Sequence, residues 1–99
     1  MAALITGLDI GGAHLKAAQV TADGRVVAAC QVPCALWQGL DRLERALTAV
    51  PSPTGRVAVT MTGELVDLFP DRQTGVERLL ATLATVWPDA GVAVWAGQR

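Results

Sequence analysis

The sequence predicts an α/β fold in which helices cover a mixed five-stranded sheet of strand order 3-2-1-4-5. Three observations lead there. The chain opens with apolar runs separated by glycine turns, the mark of successive strands. Past residue 35 the apolar period lengthens to that of an amphipathic helix. Beyond that point helical and strand patterns alternate, as they do where a sheet grows by crossovers. The predicted order is β-β-β-α-β-α-β.

Ala2 to Ile10 is rich in Leu and Ile and meets Gly11-Gly12, so it reads as a buried strand closed by a turn. His14 to Thr21 continues as a second strand. Asp23-Gly24 is a hairpin signal of the type I′ kind, whose central residues need the positive φ that glycine adopts without strain. Arg25 to Val32 forms the third strand, with Pro33 at its end. Leu36, Leu40, Leu43, Leu47 and Val50 then recur at spacings of four, three, four and three, one face of a helix from Leu36 to Val50. Pro51-Ser-Pro-Thr-Gly55 stops it, because proline lacks the donor a helix interior needs and restricts the residue before it. A fourth strand runs from Arg56 to Thr62. Thr74 and Glu77 have capping-box spacing and start a second helix to about Trp87, with Val76, Leu80, Leu83 and Trp87 on its buried face. Pro88-Asp-Ala-Gly91 ends that helix, and Val92 to Ala96 supplies the fifth strand.

Two helical crossovers, right-handed as such connections are, join strand three to four and four to five. With strand one between strands two and four, the C-terminal ends of strands one and four become neighbours. That is the kind of crevice in which open α/β sheets bind ligands. Asp9 to Gly12 lies at one wall and Thr60 to Glu64 at the other.

Bulk properties narrow the partners. A chain of 99 residues is one domain, and its 52% hydrophobic against 17% charged content either leaves apolar surface for a second lobe or a second copy or reflects an abundance of small Ala and Val side chains. A formal charge of −1 offers no basic stripe, so neither nucleic acid nor an anionic membrane is an expected partner. The N-terminus has no cationic segment of the secretory kind. The longest uncharged stretch, Val26 to Leu40, is 15 residues with Pro33 inside it, short of the ~20 that span a bilayer. A cytoplasmic protein is expected. Cys30, Cys34 and His14 cannot make a four-ligand zinc set, and the thiols are expected to be buried and reduced.

The chemistry concentrates in Gly7-Leu-Asp-Ile-Gly-Gly-Ala-His-Leu-Lys16. A P-loop or a dinucleotide fingerprint would lead into a helix, whereas these glycines lead into a strand. Anion binding must then come from the turn itself, from a concave nest of the Gly11, Gly12 and Ala13 N–H groups. Glycine permits both the backbone angles and the close approach. Asp9, at the mouth of the strand, is placed to hold Mg²⁺ through water, and Lys16 adds a cation to the phosphate site. Thr60 and Thr62 end strand four beside the turn as further phosphate contacts. Glu64 follows them as a candidate general base or metal-organising carboxylate. The bland alternatives are that Asp9 only stabilises its turn, that Lys16 is a solvated strand residue and that Glu64 is a surface acid after Gly63. Trp37, Trp87 and Trp95 are expected to pack in the core or at an interface.

This motif, in this element order, resembles the first lobe of the ribonuclease H-like superfold shared by actin, Hsp70-type chaperones, sugar kinases and acetate kinases. That lobe opens with Asp-x-Gly-Gly-x-x-x-Lys or a close variant. The resemblance implies that Asp9 positions a metal and that Gly11, Gly12 and Lys16 bind nucleotide phosphates, with Mg²⁺ as cofactor and ATP as a further candidate. The chain has Ala13 where many members carry a hydroxyl residue. A narrower resemblance rests on the same stretch together with Val57-Ala-Val-Thr-Met-Thr-Gly-Glu-Leu-Val-Asp67 and Gly75-Val76. It is to the hydantoinase/oxoprolinase-related proteins of the tetrahydromethanopterin-linked C1 transfer pathway, which usually have Asn at the position of His14. It implies a transferase in methanofuran-type cofactor synthesis, acting on a phosphate or diphosphate ester, and covers only the first third or so of a typical member.

Two other function classes stand beside that expectation: an ATP-dependent, kinase-like phosphotransferase lobe, and a non-catalytic actin-like module that binds nucleotide or assembles. The single N-terminal lobe spanning 1–99 supplies half a cleft in any of these. The second glycine-acid turn such a fold needs does not follow Glu64, so a fragment is expected and the isolated chain is expected to be inactive. Its small-molecule partner would be a phosphorylated compound or a nucleotide.

Overall fold

Alternate residues of the central strands face opposite ways, and only one of the two faces is covered. In the computed structural model, which describes residues 4–62 and 68–95, strands β1 (Ile5–Ile10), β2 (His14–Val20) and β3 (Val26–Pro33) form an antiparallel meander. A 3-10 turn at Leu36–Gln38 leads into helix α1 (Asp41–Thr48), followed by β4 (Arg56–Met61), helix α2 (Arg72–Val86) and β5 (Gly91–Trp95). β4 pairs parallel to β1, and β5 parallel to β4, in the order β3-β2-β1-β4-β5. The predicted topology is therefore the observed one.

Period two explains the core. Leu8 and Ile10 of β1, Leu15 and Ala17 of β2, and Val57 and Val59 of β4 are buried together with Leu43 and Leu47 of α1 and Leu79 and Leu83 of α2. Thr6 and Gln19 share that face and are buried but satisfied: the Gln19 amide donates to the Thr6 hydroxyl at 3.4 Å and to the Ser52 carbonyl at 3.2 Å. The second bond ties the proline-rich linker before β4 to the sheet. Cys34 is buried and Cys30 half-buried, both as free thiols, and burial pushes the Cys34 thiol above its ordinary range.

The local geometry corrects three expectations. The apolar stripe from Leu36 to Val50 is two elements, because Gly39 between them takes φ 144°, where a Cβ would lie 2.7 Å from the Asp41 carboxylate. Its hydrophobic spacing survives the break, since Leu36, Leu43, Leu47 and Val50 all reach the core. The β2–β3 connection is not type I′. Gly24 has positive φ (92°) and Asp23 does not. The Gly24 N–H bonds the Thr21 carbonyl at 3.0 Å and the Thr21 N–H bonds Arg25, with the register slipping between Gln19 and Val20. That is a three-residue loop in which glycine takes the left-handed position. Finally, α2 is capped by Asp71, whose carboxylate accepts the Thr74 N–H at 2.7 Å, so the helix begins before the Thr74–Glu77 pair. Glu77 instead accepts from Gln73, and the buried face is centred on Gly75, Leu79, Thr82 and Leu83 rather than on Val76 and Leu80.

Candidate functional site

Because Leu8 and Ile10 point into the core, the pleat turns Asp9 to the uncovered face. Lys16 lies directly across from it on β2 and Thr60 directly across on β4. The Thr60 hydroxyl donates to the Asp9 carboxylate at 3.4 Å, a long bond and the one partner of that carboxylate among the described residues. These side chains share a groove of about 630 Å³ whose floor, Gly7, Ala18, Ala29 and Ala58, carries little side chain. By register, Gln31 joins Lys16, Asp9 and Thr60 in the row of the groove nearer the glycine turn. Gln31 was not singled out from the sequence, although alternation along β3 from Ala29 would have found it.

The turn joining β1 to β2 departs from the expected nest. The Gly11 N–H is engaged by the His14 carbonyl at 3.0 Å, so it closes the hairpin and is not offered to an anion. Neither Gly11, Gly12 nor Ala13 has positive φ, so the alternating backbone of a nest is absent. Gly11 is needed for room, since a Cβ there would sit 3.2 Å from the His14 carbonyl oxygen. The Gly12 carbonyl accepts the Leu36 N–H at 3.2 Å, and the Ala13 carbonyl accepts the Cys34 N–H at 2.8 Å. Both carbonyls are therefore turned to the segment after β3, and among the described residues the N–H groups of Gly12 and Ala13 have no partner. A two-donor turn replaces the three-donor nest.

Thr62 stands beside this turn: its N–H bonds the Ile10 carbonyl at 2.9 Å, and its hydroxyl lies 4.0 Å from where a Gly11 Cβ would be. Asp9, Thr60 and Thr62 thus lie beside the Gly11–Ala13 turn at the C-terminal ends of the adjacent parallel strands β1 and β4, with Lys16 across from Asp9 on antiparallel β2. Glu64 lies outside the described residues. His14 is exposed at the head of β2. Among the described residues no group of three or more His, Cys, Asp or Glu side chains could hold a metal. A cation here would take Asp9 with water and ligand oxygens, which suits Mg²⁺, since that ion keeps much of its hydration and is commonly bound through one or two carboxylates plus phosphate. The residues present fit it on those terms.

Of the three tryptophans, Trp87 packs in the core at 9% exposure, whereas Trp37 stands 60% exposed on the 3-10 turn. The side chain of Trp95 is outside the description, although its backbone pairs with Thr60. Among the described residues no helix is long and apolar enough to cross a membrane.

No protein-family profile matches the chain. Over 80 residues, 81% of its length, the chain is 32% identical to a curated protein of Methanocaldococcus jannaschii, (4-{4-[2-(gamma-L-glutamylamino)ethyl]phenoxymethyl}furan-2-yl)methanamine synthase. It spans 24% of that relative. Among solved structures, a protein described as a sugar kinase from Cytophaga hutchinsonii superposes with a TM-score of 0.54 at 22% identity, over 92% of this chain and 35% of that one. An exopolyphosphatase-like protein gives 0.51 at 21% identity, over 97% and 33%. The Ppx/GppA family member of Aquifex aeolicus gives 0.50 at 14%, over 95% and 36%. The chain therefore matches about a quarter of its curated relative and about a third of each solved structure. Together with the strand order, these likenesses show that the chain has an α/β fold of the actin-like ATPase type.

Proposed function

We propose that the chain is a phosphate-binding lobe of a two-lobed enzyme, with Mg²⁺ held at Asp9 and a phosphate or diphosphate ester at the Gly12–Ala13 turn. One observation carries it: two N–H donors without partners and a carboxylate with a single weak partner among the described residues, together with the Thr60 and Thr62 hydroxyls, meet at the ends of β1 and β4. Lys16, across from Asp9, adds positive charge where a phosphate would need it. The N–H groups of Gly12 and Ala13 hold phosphate oxygens, and the two threonines orient them. Bound Mg²⁺ would neutralise charge on the phosphoryl group as a leaving oxygen departs. The small floor of the groove lets a ligand or a second chain approach the sheet closely.

Within that reading, a transferase related to methanofuran-type cofactor synthesis is the best-supported activity, because the curated relative is matched over most of this chain. Glu64 is its proposed general base, and the second lobe would come from further chain or a partner. A kinase-like lobe would share the turn and differ in using ATP. The lobe is proposed to act in the cytoplasm.

Titration of the 99-residue chain with pyrophosphate in the presence of Mg²⁺, followed by amide shifts, tests the site. The Gly12 and Ala13 amides are expected to move most, and Asp9→Asn to abolish the Mg²⁺ dependence while leaving the remaining spectrum folded. Unmoved Gly12 and Ala13 amides would sink the proposal. Displacement of pyrophosphate by ATP at matching affinity would favour the kinase-like form.

A further inference from the structure

We infer that the uncovered face of the sheet seats a second copy of this chain, in a twofold dimer whose axis runs along the strands between β1 and β2. The register sorts that face into rows that cross the strands. Ala29, Ala18, Gly7, Ala58 and Ala93 are successive partners from β3 to β5, so the middle row carries almost no side chain. On the side of the glycine turn lies the polar row of Gln31, Lys16, Asp9 and Thr60. On the other side Val26, Val20 and Ile5 form an apolar row, with Val26 63% and Ile5 44% exposed. The polar row and the middle row, as far as Ala58, line the groove of about 630 Å³.

Charge decides the occupant. Asp9 and Lys16 lie opposite each other on β1 and β2, yet among the described residues neither enters an ion pair, and the carboxylate has only the long bond from Thr60. Rotation about the proposed axis exchanges β1 with β2 and β3 with β4, and makes the interface the same patch on both copies. It lays Asp9 over Lys16 of the second copy, and Lys16 over that copy's Asp9, so each charge gains the partner its own chain does not give it. The same rotation sets Gln31 over Thr60, Gly7 over Ala18, Ala29 over Ala58 and Ile5 over Val20. Polar meets polar, small meets small and apolar meets apolar. Stacked sheets lie ~10 Å apart with their strands nearly aligned, and a middle row of glycine and alanine brings no side chains into collision there. Four overlapping strands, ~4.8 Å apart and roughly 20 Å long, remove on the order of 1,000 Å² from water over both copies, the size of a specific but dissociable interface. The Asp9 carboxylate cannot serve Mg²⁺ and the second copy's Lys16 together, so the ligand should favour the monomer; that consequence alone rests on the phosphate reading above.

Sedimentation equilibrium of the 99-residue chain, from about 1 μM to about 1 mM, tests the dimer. The native chain is expected to pass from monomer to dimer within that range. Lys16→Asp and Asp9→Lys should each weaken association about tenfold or more, because like charges then meet twice in every dimer, and the two changes together should recover most of the loss. Ala58→Arg, at an exposed position of the middle row, should give a monomer with an unchanged circular dichroism spectrum. A native chain that stays monomeric throughout overturns the dimer and leaves the face to a different chain or a further segment. A dimer that survives Ala58→Arg, or a double charge exchange that associates no better than the single changes, overturns the proposed axis and contacts. Dissociation by Mg²⁺ and pyrophosphate supports the interface and the phosphate reading together, whereas a native dimer indifferent to them, but lost on Ala58→Arg, supports the interface and counts against Mg²⁺ at Asp9.

Discussion

The sheet has two glycine hairpins that look alike in sequence and are built on different physics. Between β2 and β3, Gly24 takes φ 92° with nothing within 4 Å of where its Cβ would be, so it is there for its backbone angle. Between β1 and β2, Gly11 has no positive φ, and a Cβ would meet the His14 carbonyl at 3.2 Å, so it is there for space. The Gly24 turn closes on itself through Thr21 and Arg25. The Gly12 turn is closed by the Gly11 N–H to His14 carbonyl bond and is held from outside as well, by the N–H groups of Cys34 and Leu36, which turn its carbonyls away and leave two donors without a partner among the described residues. A turn with only its own closing bonds serves the hairpin, whereas a turn held by its neighbour as well can present unpaired groups to a ligand.

If the first turn depends on its neighbour, the largest effect should come from the neighbour. Leu36 is fully buried and seats the 3-10 turn against the sheet. Leu36→Ala should cost about 3 kcal/mol by cavity formation. Urea unfolding measures that loss, and the Gly12 and Ala13 amides should shift although neither residue is changed. Stability lost without movement of those amides would show that the turn holds its own shape.

Next in size is Gly11→Val, expected to cost about 2 kcal/mol by overpacking against the His14 carbonyl, and to weaken pyrophosphate binding. The matching change on the other hairpin, Gly24→Ala, should cost only about 1 kcal/mol, the price of left-handed backbone for a residue with a Cβ. Pyrophosphate binding should be untouched by it. Paired urea and binding curves for the two variants check this: equal effects on binding would erase the distinction between the hairpins.

The same contrast marks what was legible in the sequence. Strand order, the Asp9–Ala13 turn and the clustering of Thr60 and Thr62 beside it followed from apolar period and glycine placement, which depend on neighbours along the chain. The number of free donors did not, because it depends on Cys34 and Leu36 reaching back more than 20 residues to bond the turn. For the same reason the sequence showed a continuous apolar stripe from Leu36 to Val50 and hid the break: Leu36 keeps helical spacing although Gly39 ends the helix before it starts. Trp37 was expected to pack in the core or at an interface and stands 60% exposed, one residue past the apolar stripe that begins at Leu36. The type of the Asp23–Gly24 turn was misjudged because Asp-Gly suits both a two-residue loop and a left-handed glycine after a longer one.

The smallest effect is a proton. At the second hairpin the Thr21 hydroxyl donates to the Asp23 carboxylate and, chiefly by that bond and with help from backbone N–H groups, holds the carboxyl below its ordinary value of 3.8 against an opposing effect of desolvation. A carboxyl depressed in the folded state favours folding above its unfolded pKa, and that contribution disappears as pH falls through the folded value. The second hairpin should therefore loosen slightly below pH 3.8, while the first, with no titratable side chain among Gly11, Gly12 and Ala13, should not respond through its own residues. Following the Asp23 carboxyl carbon by NMR against pH should place its midpoint below 3.8, and Thr21→Val should move it back up. A midpoint that ignores Thr21→Val would mean that the hydroxyl does not hold this carboxylate, and that the second hairpin is closed by its backbone bonds alone.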